Sequence, residues 1–438
     1  MTKILWVSAG HFFETGYGLM SHDVVHYLQE QGFDVWAVSN QLDLGWSYGY
    51  VEVEGIKTIP KAQDPFLRDV IPYIIARVRP DYVISLWDIW IYYDPLNKIN
   101  YFKYWKSVLE PQGIDFRWIP YTPVDADLFE ECPIVKVAQE AYHVIAMSKY
   151  GYRELSKFLP AHKITLIPHW VDTTVYYPKD FEEALWELDK YISSGNPNAP
   201  PLKNIINKDM FILLFVGENI SERKDIPRLL RSYRLFLDMV KQQYPQYYDK
   251  VLLILRTNPT PVPGNSFDIN MIVNKLNLNK KVVIFAEKIP TIYLNDVYNI
   301  STVYVSASRG EGFGIPIVEA MATGRPAILP NNTAHVEHVG ENQERGWLVK
   351  SDNPAEVLWT ASGQAYPIID PQDMANKMFE AFRDWFENNG RVIHEKGKRA
   401  LEYAQSLDKK KILPLFKILI EKLEAENSTH SQNVQQSH

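Results

Sequence analysis

The sequence holds one cysteine, Cys132, among 438 residues, which excludes an internal disulfide and suits a reducing compartment. It also lacks a long apolar run: "YVISLWDIWIYY", at 82–93, is interrupted by Asp88 and falls well short of the roughly 20 apolar residues that a spanning helix needs. The opening "MTKILWVSAG" has no extended apolar region behind its charge, so a buried first strand is expected rather than a secretory leader. A cytoplasmic protein follows as the expectation. No strong positive excess exists, since the formal charge is −7, and this argues against a chain that coats nucleic acid. Neither an H-E-x-x-H pair nor a clustered Cys/His set is seen, so no tightly bound metal or cofactor is expected.

What is present is ordinary for a folded, soluble chain, with 46% apolar and 23% charged residues. Its length favours two domains. "KILWVSA", "FDVWAVS", "YVISLW", "RWIPYT", "HVIAMS" and "ITLIPH" read as buried strands between amphipathic stretches, the pattern of a parallel sheet wrapped by helices. The pattern restarts at "MFILLFVGE" and continues through "VLLILRT", "KVVIFAE", "TVYVSAS" and "RPAILP". Two doubly wound α/β domains are therefore expected, at 1–177 and 210–405. Residues 178–209, with the breaker-rich "SSGNPNAPPLKN", read as a linker or insertion, 406–425 as a C-terminal helix packing back on the first domain, and 426–438 as a disordered tail.

The densest chemistry lies in "SRGEGFGIPIVEA", residues 308–320. A strand leads into Gly310, Gly312 and Gly314, and Pro316 stands where a helix begins. Such a turn offers backbone N–H groups to a diphosphate, and the missing side chains let the ligand approach. Glu311 in the loop and Glu319, expected in the first helical turn, suit sugar hydroxyls. The alternative is plainer: Glu319 complements the helix dipole and Glu311 is solvated.

This run resembles the E-x7-E motif of the retaining glycosyltransferases of family four, which share the two-domain GT-B fold. "AYHVIAMSKYGYRELSK", "ITLIPHWVDTTVYYP" and "FILLFVGENISERKDIPRLLRSY" are similar to further segments of the same family, in the same order, so the likeness reaches from the first strand to about residue 350. The resemblance implies a retaining hexosyltransferase that takes a UDP- or GDP-sugar. It places Glu311 on the donor sugar, Glu319 on the ribose, and the amides of Gly312, Phe313, Gly314 and Ile315 at the diphosphate or sugar. Arg223 and Lys224 match the family's basic pair, which faces the leaving diphosphate. Glu218 stands where the family carries Arg, and His169 and Trp170 replace its Asn-Gly junction.

In the first domain, "AGHFFETGYGLMSHD" carries Gly16 and Gly18 between strand and helix. The resemblance makes Gly16 a donor-loop contact, with turn geometry alone as the competing role. Asp125, in "RWIPYTPVDADLF", is the acceptor-side candidate in place of the family's His, an Asp-turn being the alternative. The aromatic segment "SLWDIWIYYDPLNKINYFKYW" suits sugar stacking, contact with a membrane surface, or simple burial. The expected acceptor is a glycan, a lipid or a protein. A catalytically silent sugar-nucleotide-binding protein and a GT-B epimerase or phosphorylase are the competing functions on this fold.

Overall fold

The computed structural model describes residues 1–43, 49–195, 200–220, 222–261, 266–286, 289–351, 357–359 and 365–436, and its contacts divide the chain into two units. The first comprises residues 1–169 together with the C-terminal segment from Lys409. Its strands are β1 (Lys3–Ser8), β2 (Asp34–Ser39), β3 (Val51–Val53), β4 (Ile56–Pro60), β5 (Tyr82–Leu86), β6 (Arg117–Thr122), β7 (Val144–Ala146) and β8 (Ile164–Leu166). They lie side by side in the order β8-β7-β6-β5-β1-β2-β4-β3, parallel except for the β3–β4 hairpin. All of β5, and β1 beyond Lys3, is buried, which is why these strands appear in sequence as unbroken apolar runs.

Helix α1 (Gly16–Glu30) follows β1, capped by the Thr15 side chain, which accepts from the Gly18 amide. Gly18 is the glycine this loop requires, because a Cβ there would stand 2.0 Å from the Phe13 carbonyl oxygen. The C-terminal segment is helical from Pro414 to Gln436, so the disordered tail expected from Glu426 is corrected. The physical reason is an anchor beyond that point: the Asn427 amide accepts from the Tyr142 hydroxyl at 2.8 Å and donates to the Tyr82 hydroxyl at 3.2 Å. Phe416 sets its edge against Trp6 and Tyr121 in the same unit. Among the described residues, no helix is long and apolar enough to cross a membrane.

The second unit comprises residues 170–360 and 365–408. Its strands β9 (Phe211–Val216), β10 (Val251–Arg256), β11 (Val282–Phe285), β12 (Val303–Val305), β13 (Ala327–Pro330) and β14 (Gly346–Val349) run parallel in the order β11-β10-β9-β12-β13-β14. The division falls after His169 rather than near residue 177. Residues 178–195 are no linker: helix α2 (Phe181–Gly195) buries Ala184, Leu185 and Leu188, and Tyr191 stacks on Tyr293 at 4.4 Å. Lys179 adds an ion pair to buried Asp296 at 2.7 Å. Acidic composition misleads here because the helix is amphipathic, with charge on its outer face and a small apolar stripe inside. Residues 196–199 of the expected linker lie outside the described residues. Helices α3 (Ile226–Gln243), α4 (Thr291–Asn299), α5 (Ile315–Ala322) and α6 (Thr333–Val339) complete the part of this unit that carries the site.

Candidate active site

From β9 the second sheet grows in both directions, through β10 on one side and β12 on the other. The loops that leave the carboxyl ends of β9 and β12 therefore separate at a topological switch point, where open α/β sheets bind ligands. They are laced together by backbone and side chain: the Arg309 amide donates to the Arg223 carbonyl at 2.8 Å, and the Ser308 hydroxyl to the same oxygen at 3.3 Å. A buried ion pair, Arg309 Nε to Asp225 Oδ2 at 3.0 Å, fastens them further. Asp225 holds a left-handed φ of 42° as it caps α3, and its carboxylate also accepts from Arg228.

Into this junction the structure brings Glu311, Arg223 and Lys224. Glu311 is 7% exposed. Arg223 Nη1 donates to its Oε2 at 2.8 Å and to the Gly310 carbonyl at 2.6 Å, while Lys224 Nζ reaches Oε1 at 2.5 Å. Burial alone would raise the pKa of this carboxyl; the charges of Arg223 and Lys224 overcome it and hold the group well below the usual carboxylate range. Its backbone is fixed as well, because the Glu311 amide donates to Thr333 Oγ1 at 3.0 Å. Thr333 opens α6 at a φ of 46°, a left-handed conformation that costs a β-branched residue about 1–3 kcal/mol and persists only where its surroundings enforce it.

Gly312, Phe313, Gly314 and Ile315 form the turn into α5. Gly314 has a φ of 91°, and a Cβ would stand 2.7 Å from Ile317 Cδ1, so glycine is required there. The Phe313 ring is buried edge-on against His338 at 4.9 Å, and its carbonyl accepts from His338 Nε2 at 2.6 Å. The carbonyls of Gly310 and Phe313 are thus turned toward protein donors. At the start of α5, Pro316 carries no N–H and the Ile317 amide donates to the Gly314 carbonyl at 3.0 Å, which leaves the Ile315 amide as the first-turn donor that can face an anion.

Helix α5 begins at Ile315, so Glu319 sits one turn in rather than in the first turn, too deep for a simple dipole role. It is 6% exposed and accepts from the Tyr298 hydroxyl of α4 at 2.6 Å. Burial raises its pKa, an effect opposed by hydrogen bonds from Tyr298 and Tyr176 and by the charge of Arg256. Glu218, in place of the family's Arg, turns outward and pairs with Arg256 at 3.0 Å, its own side chain 58% exposed. Arg256, Tyr298, Tyr176, Asp225 and Arg309 are the residues that sequence reading missed. The signal for Arg256 is a cation ending the apolar strand "VLLILR"; its buried Nε has no hydrogen-bond partner among the described residues.

Gly16 and Asp125 belong to the first unit and are not among these contacts. Gly16 is exposed at the start of α1, and Asp125 is half-buried just beyond β6. Its neighbour Asp127 accepts from the Tyr150 hydroxyl at 2.7 Å.

Residues 201–360, which contain this junction apart from Tyr176, match the family model described as glycosyl transferases group 1. The O-antigen chain mannosyltransferase B of Escherichia coli is 25% identical over 240 residues, 54% of this chain and 55% of that protein. The serotype-specific mannosyltransferase WbdA of the same organism is 29% identical over 149 residues, 34% of this chain and 16% of its own length. The chain thus spans about half of the first relative and far less of the second. Sucrose-phosphate synthase from Thermosynechococcus elongatus superimposes with a TM-score of 0.71 at 18% identity, covering 97% of this chain and all (100%) of that one. Anabaena HepE, solved in complex with UDP and glucose, does so with a TM-score of 0.62 at 14% identity over 96% of this chain and 100% of its own. The two parallel-sheet units form a GT-B fold, and residues 201–360 are similar to glycosyl transferases group 1.

Proposed function

We propose that the protein transfers a hexosyl group from a UDP- or GDP-sugar to an acceptor hydroxyl with retention of anomeric configuration. The observation that carries this reading is Glu311, a buried carboxylate kept ionised between Arg223 and Lys224 at a glycine turn that opens a helix. Without a donor, the two cations and the acid satisfy one another. An arriving diphosphate competes for Arg223 and Lys224 and settles against the Ile315 amide at the start of α5, which frees the Glu311 oxygens for hydroxyls of the sugar. Glu319, oriented by Tyr298, accepts from the ribose hydroxyls. As the bond between the anomeric carbon and the diphosphate breaks, negative charge grows on the leaving group where the two cations already stand. The acceptor oxygen then bonds to the anomeric carbon on the face that the diphosphate leaves, its hydroxyl proton passes to the departing diphosphate oxygen, and the configuration is kept.

Gly16 and Asp125 of the first unit remain proposed as a donor contact and an acceptor-side group. A glycan acceptor is favoured over a lipid or protein by the E. coli relative, whose name places it on O-antigen chains. The test is a panel of UDP-, GDP- and ADP-sugars, followed for nucleoside diphosphate release, with the anomeric proton coupling of the product read by NMR. Release from a UDP- or GDP-sugar with the donor's own configuration in the product is expected. An inverted product contradicts retention, and donor binding without any release identifies a silent binding protein.

A further inference from the structure

In the first unit, two histidines stand one turn apart on α1, His22 and His26, their ring centroids 4.3 Å apart. Residues four apart share a helix face. The β3–β4 hairpin brings Glu54 to that face from its turn, where it holds a left-handed φ of 52°. One ligand atom from each of these three side chains lies within 4.8 Å of the others. A fourth group arrives from the loop after β1: His11, 3% exposed, directs Nδ1 at Glu54 Oε2 from 3.5 Å.

The hydrogen bonds around these rings set the direction of their lone pairs. The Thr58 hydroxyl donates to the Ile56 carbonyl at 3.0 Å, so its oxygen is left to accept from His11 Nε2 at 3.1 Å. That arrangement puts the proton on Nε2 and a lone pair on Nδ1, which is buried, has no hydrogen-bond partner among the described residues and faces the Glu54 carboxylate. A lone pair and a carboxylate oxygen that face each other call for a cation between them. His26 has both ring nitrogens against carbonyl oxygens, Nδ1 against that of His22 at 2.8 Å and Nε2 against that of Glu54 at 3.1 Å, so an ion would take the place of the proton in one of these contacts. An imidazole fixed through one nitrogen by a carbonyl or hydroxyl is the usual support of a metal-ligating histidine.

We propose that His11, His22, His26 and Glu54 bind one divalent transition-metal cation of the zinc type. Three imidazole nitrogens and one carboxylate oxygen are a donor set suited to such an ion rather than to magnesium or calcium. Bond lengths of about 2.0–2.2 Å place tetrahedral ligand atoms roughly 3.4 Å apart. Glu54 Oε2 is 3.5 Å from His11 Nδ1 and 3.9 Å from His22 Nε2; His11 stands outside the trio that falls within 4.8 Å, so the exposed Glu54 and His22 side chains must turn toward it to complete the site. His22 and Glu54 are 46% and 49% exposed and form the mouth by which an ion enters. The ion ties the β1–α1 loop, helix α1 and the hairpin together, against the expectation of a metal-free protein.

The experiment uses the full chain without a polyhistidine tag, stripped by chelator and titrated with Co2+ and Zn2+. Saturable visible Co2+ absorption, displaced by Zn2+ but not by Mg2+, is expected, together with a higher melting temperature in Zn2+. His22→Ala and Glu54→Gln, both at the exposed mouth, should each weaken Co2+ binding at least about tenfold while melting like the metal-free parent. Absence of a saturable spectrum in the parent chain overturns the proposal. So does unchanged affinity in both variants.

Discussion

The two acids of the glycine turn, separated by seven residues, live in opposite surroundings. Glu311 is held by two cations and lies well below the usual carboxylate range, whereas Glu319 is held by tyrosine hydroxyls and burial raises it from its ordinary value. Both are buried, so burial does not separate them. The difference is the kind of partner, because a full positive charge outweighs desolvation and a neutral hydroxyl offsets only part of it. An acid kept charged by displaceable cations suits a ligand that carries its own anion to the site. An acid kept in place by neutral donors suits a fixed hydrogen-bonding post.

That contrast can be broken at several points, of descending size. Glu311→Gln removes the charge but keeps the shape, and should lower kcat for donor turnover by about 10²–10³-fold, a loss typical of removing one preorganised electrostatic group. Arg223→Ala and Lys224→Ala should each weaken nucleoside diphosphate binding by about 10–100-fold in calorimetry, as expected for charge-assisted hydrogen bonds worth about 1.5–3 kcal/mol. Equal affinity in either variant would mean that the cation serves only Glu311. On the other side, Tyr298→Phe should raise donor KM by roughly tenfold or less with little change in kcat, because it loosens Glu319 by one hydrogen bond.

The smallest effect is on stability. Burial pushes His338 down to about 4 from an ordinary 6.5. The unfolded chain therefore binds a proton at pH values where the folded chain does not, and stability is full above about 6.5 and falls as pH drops toward 4. Thermal melts of the parent chain should show that fall. It should be shallower in His338→Gln, which can still donate to Phe313.

Much of the fold was legible because strands buried on both faces leave unbroken apolar runs, as in "VISL" and "FILLFV". The hairpin that carries Glu54 was not, since three residues at Val51–Val53 are too short to show alternation. The acidic stretch of α2 reads as helical in sequence, but the breaker residues that follow it point to a linker, and the helical tail was hidden by its lack of apolar period. Glu311, Arg223 and Lys224 were readable because the motif is contiguous and sits between a strand and a helix. Arg256, Tyr298 and the Asp225–Arg309 pair come from separate strand and helix ends, which only the sheet order brings together. The same holds for His11 and Glu54, although the four-residue spacing of His22 and His26 stood in plain view.

Under the proposed function, sugar transfer depends on the charge of Glu311. The most direct test of this dependence compares nucleoside diphosphate release from the preferred sugar nucleotide by the parent chain and by Glu311→Gln, with donor affinity and circular dichroism measured on both. The account predicts release falling by at least about 10²-fold in a folded variant that still binds donor. Release at the parent rate by that variant would contradict it.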